Sequence, residues 1–98
     1  MSLNEIKDIL IKHKPELQRK FKVKKLGIFG SYIRGDQAAM SDLDILVDFE
    51  ADARLSLLDL VGMEIELSDL LGIKVDLVEK KCLKPTIGRY ILKEVQYI

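Results

Sequence analysis

The sequence predicts an α/β layer fold, a small mixed three-stranded core sheet packed with helices. Three observations carry this. From Asp42 to Phe49 the residues alternate, with Leu43, Ile45, Val47 and Phe49 on one side and Asp42, Asp44, Leu46 and Asp48 on the other. That is the period-two pattern of a strand with one face on a core. Two more short apolar runs, Lys25–Phe29 and Ile73–Val78, each abut a glycine. Stretches at helical spacing flank and separate the three runs, giving the order α, β, short α, β, α, β, α.

Taken in order, Ser2-Leu3-Asn4-Glu5 has capping-box form, and Ile6, Ile9 and Leu10 follow at helical spacing. A helix is expected from Ser2 to Lys12, interrupted at Pro15, with a further turn or two to Lys20. Lys25–Phe29 reads as a buried strand ending at Gly30, and Ser31–Arg34 as the first turn of a short helix stopped by Gly35. After a polar loop over 35–41 comes the alternating strand. Arg54–Leu71 is rich in Leu and Glu and lacks proline, and Gly72 stands where a C-cap glycine belongs. Ile73–Val78 is the third strand. Pro85 opens a last helix with apolar positions Ile87, Tyr90, Ile91 and Val95.

The chain has 98 residues, for which a single domain over 1–98 is the natural reading. Hydrophobic residues make up 48% and charged residues 33%, which argues against disorder. No apolar stretch is long enough to span a bilayer, and the amphipathic N-terminus lacks the form of a signal peptide. Cys82 is the only cysteine. It cannot form an internal disulfide, so a reducing cytoplasm is expected, with Cys82 as a small buried hydrophobe. Net charge is zero but segregated. Residues 1–25 hold eight bases against three acids, 36–79 twelve acids against two bases, and 80–98 five bases against one acid. An acidic middle between basic ends suits a site that receives cations, although a segregated solvated surface gives the same count. The dense basic stripe of a protein that grips long nucleic acid is absent from the sequence.

The informative stretch is Gly30-Ser31, ten residues, then Asp42-Leu43-Asp44. A Gly-Ser pair between a strand and a helix offers backbone N–H groups and the positive end of the helix dipole to a phosphate. Gly30 allows close approach, and the Ser31 hydroxyl can donate to a phosphate oxygen. Arg34, one turn on, can reach a triphosphate or a neighbouring acid. Asp42 and Asp44 share a strand face roughly 6.5–7 Å apart, a separation that can bracket two Mg²⁺ ions about 3.5–4 Å apart. Each half is commonplace alone. The full spacing should arise by chance in about one chain per thousand of this length, and here it also falls on the elements its chemistry needs.

Gly30-Ser31-(x10)-Asp42-x-Asp44 resembles the signature of the DNA polymerase β-like nucleotidyltransferase superfamily. The stretch from Gly30 to Phe49, with the segments 57–78 and 87–98, is similar to its minimal nucleotidyltransferase branch, so the resemblance covers nearly the whole chain. Many members of that branch are antitoxins encoded beside a HEPN-type helical protein. The resemblance implies the nucleotidyltransferase fold and transfer of an NMP, AMP from ATP, with two Mg²⁺ and release of pyrophosphate. It also implies metal binding and catalysis by Asp42 and Asp44, and triphosphate binding by Gly30 and Ser31. Members carry a third carboxylate on a neighbouring strand, for which Asp76 is the best match, as metal ligand or base. The implied acceptor is a tyrosine of a HEPN-type toxin; self-association is left open. Two alternatives stand beside this: a binding module that neutralises a partner by docking alone, and a small-molecule enzyme of the aminoglycoside type. The second is disfavoured because such proteins are longer and carry an added helical domain.

Other residues have plainer readings. Asp76 could be an exposed strand residue. Asp48 lies roughly 13 Å from Asp44 along the strand and reads as structural, or as tied to Arg54 or a lysine. Ser41 reads as orienting the loop through its backbone. His13 reads as solvated, Arg34-Gly35-Asp36 as a coincidental adhesion tripeptide, and Met40 and Met63 as core or partner surface. Little chain remains for a wall against a nucleotide base, so weak NTP binding by the isolated protein is expected.

Overall fold

The apolar side of the alternating segment makes it the central strand of the fold. In the computed structural model, which describes residues 1–38 and 41–98, this segment is β2 (Leu43–Phe49). Met40 lies outside the described residues. β2 pairs antiparallel with β1 (Val23–Phe29) and parallel with β3 (Val75–Glu79). A two-residue strand β4 (Gln96–Tyr97) adds to the far side of β1, so the sheet is mixed, with order β3-β2-β1-β4. The three strands read from the sequence are its core.

Leu43, Ile45, Val47 and Phe49 are buried together with Val23, Leu26, Ile28 and Val75. Two helices cover this face. α1 (Leu3–Phe21) contributes Ile6, Leu10, Leu17 and Phe21, and α3 (Leu57–Leu71) contributes Met63, Leu67 and Leu71. Ser2 caps α1 with Glu5 in a capping box, as its sequence predicts. The expected break at Pro15 does not occur, and α1 runs through it unbroken. Proline inside a helix costs about 3 kcal/mol. Here Pro15 is exposed, as is Ile11, whose carbonyl loses its partner and can be met by water. Continuing the helix buries Leu17 and Phe21 on the stripe begun by Ile6 and Leu10, worth about 1.5–3 kcal/mol each, which outweighs the local penalty.

α3 begins at Leu57 rather than near Arg54. Ser56 and Asp59 form a second capping box, in which the Ser56 Oγ accepts from the Asp59 N–H and the Asp59 carboxylate accepts from the Ser56 N–H at 2.8 Å. α3 also seals the open edge of β3. The Val75 N–H donates to Ser68 Oγ at 2.9 Å and the Leu77 N–H to Glu64 Oε2 at 2.9 Å, so edge amides that could template another strand are occupied.

By register, Gly27, Phe29, Asp44, Leu46 and Asp76 share the opposite face. The last helix, α4 (Pro85–Glu94), follows a 3₁₀ turn (Lys80–Cys82) and ends one residue before the expected Val95, which turns the chain into β4. A Cβ on Gly27 would lie 2.5 Å from Val95 Cγ2, so the glycine admits β4 at close range. The end of the chain is held to α1 by Lys14, whose Nζ donates to the Ile98 carbonyl at 2.6 Å. Cys82, expected to be buried, is exposed, because the chain leaves β3 in a turn that puts it at the surface beside Lys80 and Lys81. Among the described residues no helix is long and apolar enough to cross a membrane.

Candidate functional site

The strand register assembles three of the expected residues. Asp44 of β2 is level with Asp76 of β3 and with Phe29 of β1, after which the chain reaches Gly30. Asp42 precedes Asp44 by two residues and is exposed, as is Asp76, whereas Asp44 is half-buried. Burial, then the charges of Asp76 and Asp42, hold the Asp44 carboxyl above its usual range, with Arg34 opposing. Gly30 is buried, with φ +83° and ψ −151°, and opens the one-turn helix α2 (Ser31–Arg34). An added Cβ there would lie 2.1 Å from Asp44 Oδ2. The Gly-Ser turn and the aspartate strand are therefore in direct contact, a relation their ten-residue spacing does not itself specify.

The turn holds one surprise. The Gly30 N–H donates to Glu94 Oε2 at 2.8 Å, while Arg34 Nη1 donates to Glu94 Oε1 at 2.9 Å. Arg34 also bonds Asp36 through Nε at 3.3 Å. Of the amides from Gly30 to Arg34, those of Ser31 and Tyr32 have no partner among the described residues, since Ile33 and Arg34 donate back to the Gly30 carbonyl. Sequence reasoning missed Glu94. The available signal was its place on one face of α4 with Ile87, Tyr90 and Ile91. A cavity of about 470 Å³ lies between that face and Phe29, Gly30, Arg34 and Asp44.

The other expectations divide. Ser41 Oγ accepts from the Ala38 N–H at 2.8 Å, the backbone role read for it. Met63 is fully buried in the core. Asp48 faces Lys25 across the sheet and takes part in no ion pair among the described residues, so the expected tie to Arg54 or a lysine is absent. His13 borders a separate cavity of about 350 Å³, lined by Leu17, Leu67 and Leu70 and by the acids Glu16, Glu66 and Asp69, none of them a residue of the expected site.

Three aspartates offer only hard oxygen donors, which suits a divalent cation such as Mg²⁺. The charges of Asp76 and Asp42 bearing on Asp44, opposed by an Arg34 already paired, are what a cation would relieve. No three such side chains among the described residues close around one point as they stand. Mg²⁺ fits such an open set because it keeps waters and substrate phosphates in its shell.

Glu94→Ala is expected to lower stability by about 1–3 kcal/mol, the cost of leaving the buried Gly30 donor unmet. Glu94→Gln, which keeps an acceptor, should lose less. Thermal unfolding of both variants measures this; equal losses would assign the effect to charge rather than to the Gly30 bond.

A mixed sheet whose Gly-Ser turn packs against an aspartate of the central strand has the layout of a nucleotidyltransferase fold. A family model described as the nucleotidyltransferase domain matches residues 10–98, and the chain belongs to that family of enzymes. It is 48% identical over 98 residues to the protein adenylyltransferase MntA of Thermococcus cleftensis, covering 100% of this chain and 97% of that protein. It is 49% identical over 98 residues to a candidate protein adenylyltransferase of Methanocaldococcus jannaschii, covering 99% and 98%. Among solved structures, a candidate minimal nucleotidyltransferase superposes with TM-score 0.74 at 30% identity, covering 98% of this chain and 95% of that one. A toxin–antitoxin structure with AMP-PNP superposes with TM-score 0.71 at 25% identity, covering 88% and 69%.

Proposed function

We propose that this nucleotidyltransferase moves AMP from ATP onto a hydroxyl of another protein, a tyrosine of a HEPN-type helical toxin, and so acts as the antitoxin of a pair. One observation carries the reading: the Gly30 backbone lies against the Asp44 carboxylate, so the unpartnered amides of α2 and the acidic end of β2 and β3 form one surface. A triphosphate needs the first and its metals the second. The names of the relatives, protein adenylyltransferase, and the AMP-PNP in a similar toxin–antitoxin structure support AMP as the group moved and another protein as its acceptor.

In this reading Asp42, Asp44 and Asp76 hold two Mg²⁺ ions. Bound there, the ions neutralise triphosphate charge and favour the deprotonated acceptor oxygen. Ser31 donates its hydroxyl and amide to phosphate oxygens, and Gly30 gives the turn its close approach. Arg34, held by Glu94, lends positive charge at the rim of the cavity. The acceptor oxygen attacks the α-phosphorus, the bond to the bridging oxygen breaks, pyrophosphate leaves, and the hydroxyl proton passes to a carboxylate of the platform or to water.

The test incubates the protein with Mg²⁺, labelled ATP and a HEPN-type protein encoded beside it, and locates added mass by intact and peptide mass spectrometry. AMP on a partner tyrosine, absent with Asp44→Asn, is expected. Inhibition of the partner without added nucleotide, equal for wild type and Asp44→Asn, would establish docking alone and end the enzymatic antitoxin reading.

A further inference from the structure

Resting on that reading, we propose that α4 is the wall against which the nucleotide's base lies, with Tyr90 stacking on the base. Ile87, Tyr90, Ile91 and Glu94 stand three and four residues apart, on one helix face, and all four line the cavity that also holds Gly30, Arg34 and Asp44. The side expected to lack a wall therefore has one. Gly88, on another side of α4, is buried, and a Cβ there would lie 3.1 Å from Leu83 Cβ, so the segment entering the helix packs closely on that side. Ile87 and Tyr90 remain 56% and 72% exposed.

The order of side chains along α4 gives the ligand a direction. Glu94 marks the end where Gly30 and Arg34 gather, which is the phosphate end. Tyr90 and Ile87 lie one to two turns back, ~6–10 Å along the axis, room for a ribose between phosphate and base. A pocket of apolar and aromatic side chains with a few convergent polar groups is the usual form of a small-ligand site. A purine offers a flat apolar face to such a wall, and an exposed tyrosine ring can cover it without refolding.

The experiment measures binding of Mg-ATP and of Mg-tripolyphosphate to wild type, Tyr90→Ala and Tyr90→Phe by calorimetry, with thermal unfolding as a check on fold. Tyr90→Ala is expected to weaken ATP binding roughly five- to a hundredfold, leaving tripolyphosphate binding and unfolding unchanged; Tyr90→Phe should bind ATP like wild type, because the ring and not the hydroxyl does the stacking. Unchanged ATP affinity in Tyr90→Ala overturns the wall, and more so if capture of the partner is lost instead, which makes Tyr90 a docking residue. Equal loss of both ligands overturns it too, by placing Tyr90 at the phosphate end. Because the isolated protein is expected to bind NTP weakly, the titration runs to millimolar ligand, and if wild type binds neither ligand there the nucleotide-transfer reading itself fails.

Discussion

Asp44→Asn is expected to abolish nucleotidyl transfer while leaving the metal-free protein as stable as wild type or slightly more so, and Asp42→Asn should behave alike. Asp44 sits half-buried between two acidic neighbours, and burial together with Asp76 and Asp42 already disfavours its charge. Removing that charge relieves repulsion, a gain of ~1 kcal/mol at most because water and salt screen the group. Transfer should fall far more. Metal-borne charge stabilisation is worth several kcal/mol in the transition state, and each 1.36 kcal/mol is tenfold in rate, so a loss on the order of 10²–10⁴-fold follows. Thermal unfolding with and without Mg²⁺ adds a readout independent of catalysis. Wild type should gain stability with Mg²⁺ and Asp44→Asn should not. A variant that transfers nucleotide at near-normal rate, or that Mg²⁺ stabilises as it does wild type, would remove Asp44 from the metal platform.

Much of this was legible in the sequence because the informative residues report local physics. The alternation over Asp42–Phe49 could be read directly, since β2 has one face on the core and the other bearing the acids. Ser2 and Glu5 announced the start of α1, and Gly35 and Gly72 the ends of α2 and α3. Failures arose where distant contacts decide. Pro15 carries a local penalty, and the burial that overrides it depends on where β1 and β2 lie. β4 is two residues long, too short for any period to show, and exists only because Gly27 leaves space beside β1. Cys82 has the composition of a core residue and the position of a turn. Glu94 meets Gly30 from 64 residues away, so no spacing rule could pair them, yet that bond decides which amides of the Gly-Ser turn stay unpartnered.

Gly30→Ala tests the join between the two halves of the site, and it should cost both stability and transfer. Two effects add. The backbone at φ +83° and ψ −151° is a region that essentially only glycine occupies, at a cost of about 1–3 kcal/mol for another residue. The new Cβ would also fall 2.1 Å from Asp44 Oδ2 and 3.0 Å from its Cγ, so the carboxylate must move away from where β2 holds it. A total of ~2–4 kcal/mol follows, or roughly 10–25 °C in Tm for a domain of this size. Gly35→Ala is a clash-free comparison: at φ +78° and ψ +16° it lies in the milder left-handed helical region, and nothing lies within 4 Å of an added Cβ, so it carries only a backbone cost, smaller than that at Gly30. Most of the steric part can be isolated in a double-mutant cycle, because Asp44→Ala removes Oδ2 and Cγ, the two atoms nearest the new Cβ, leaves Asp44 Cβ at 3.2 Å, and should recover part of the stability lost. Unfolding curves for the four proteins of the cycle, with Gly35→Ala beside them, give each term. If Gly30→Ala loses no more than Gly35→Ala, or if Asp44→Ala recovers nothing, then Gly30 is present for its backbone angle alone and the contact that joins the phosphate turn to the metal strand is not what holds the site together.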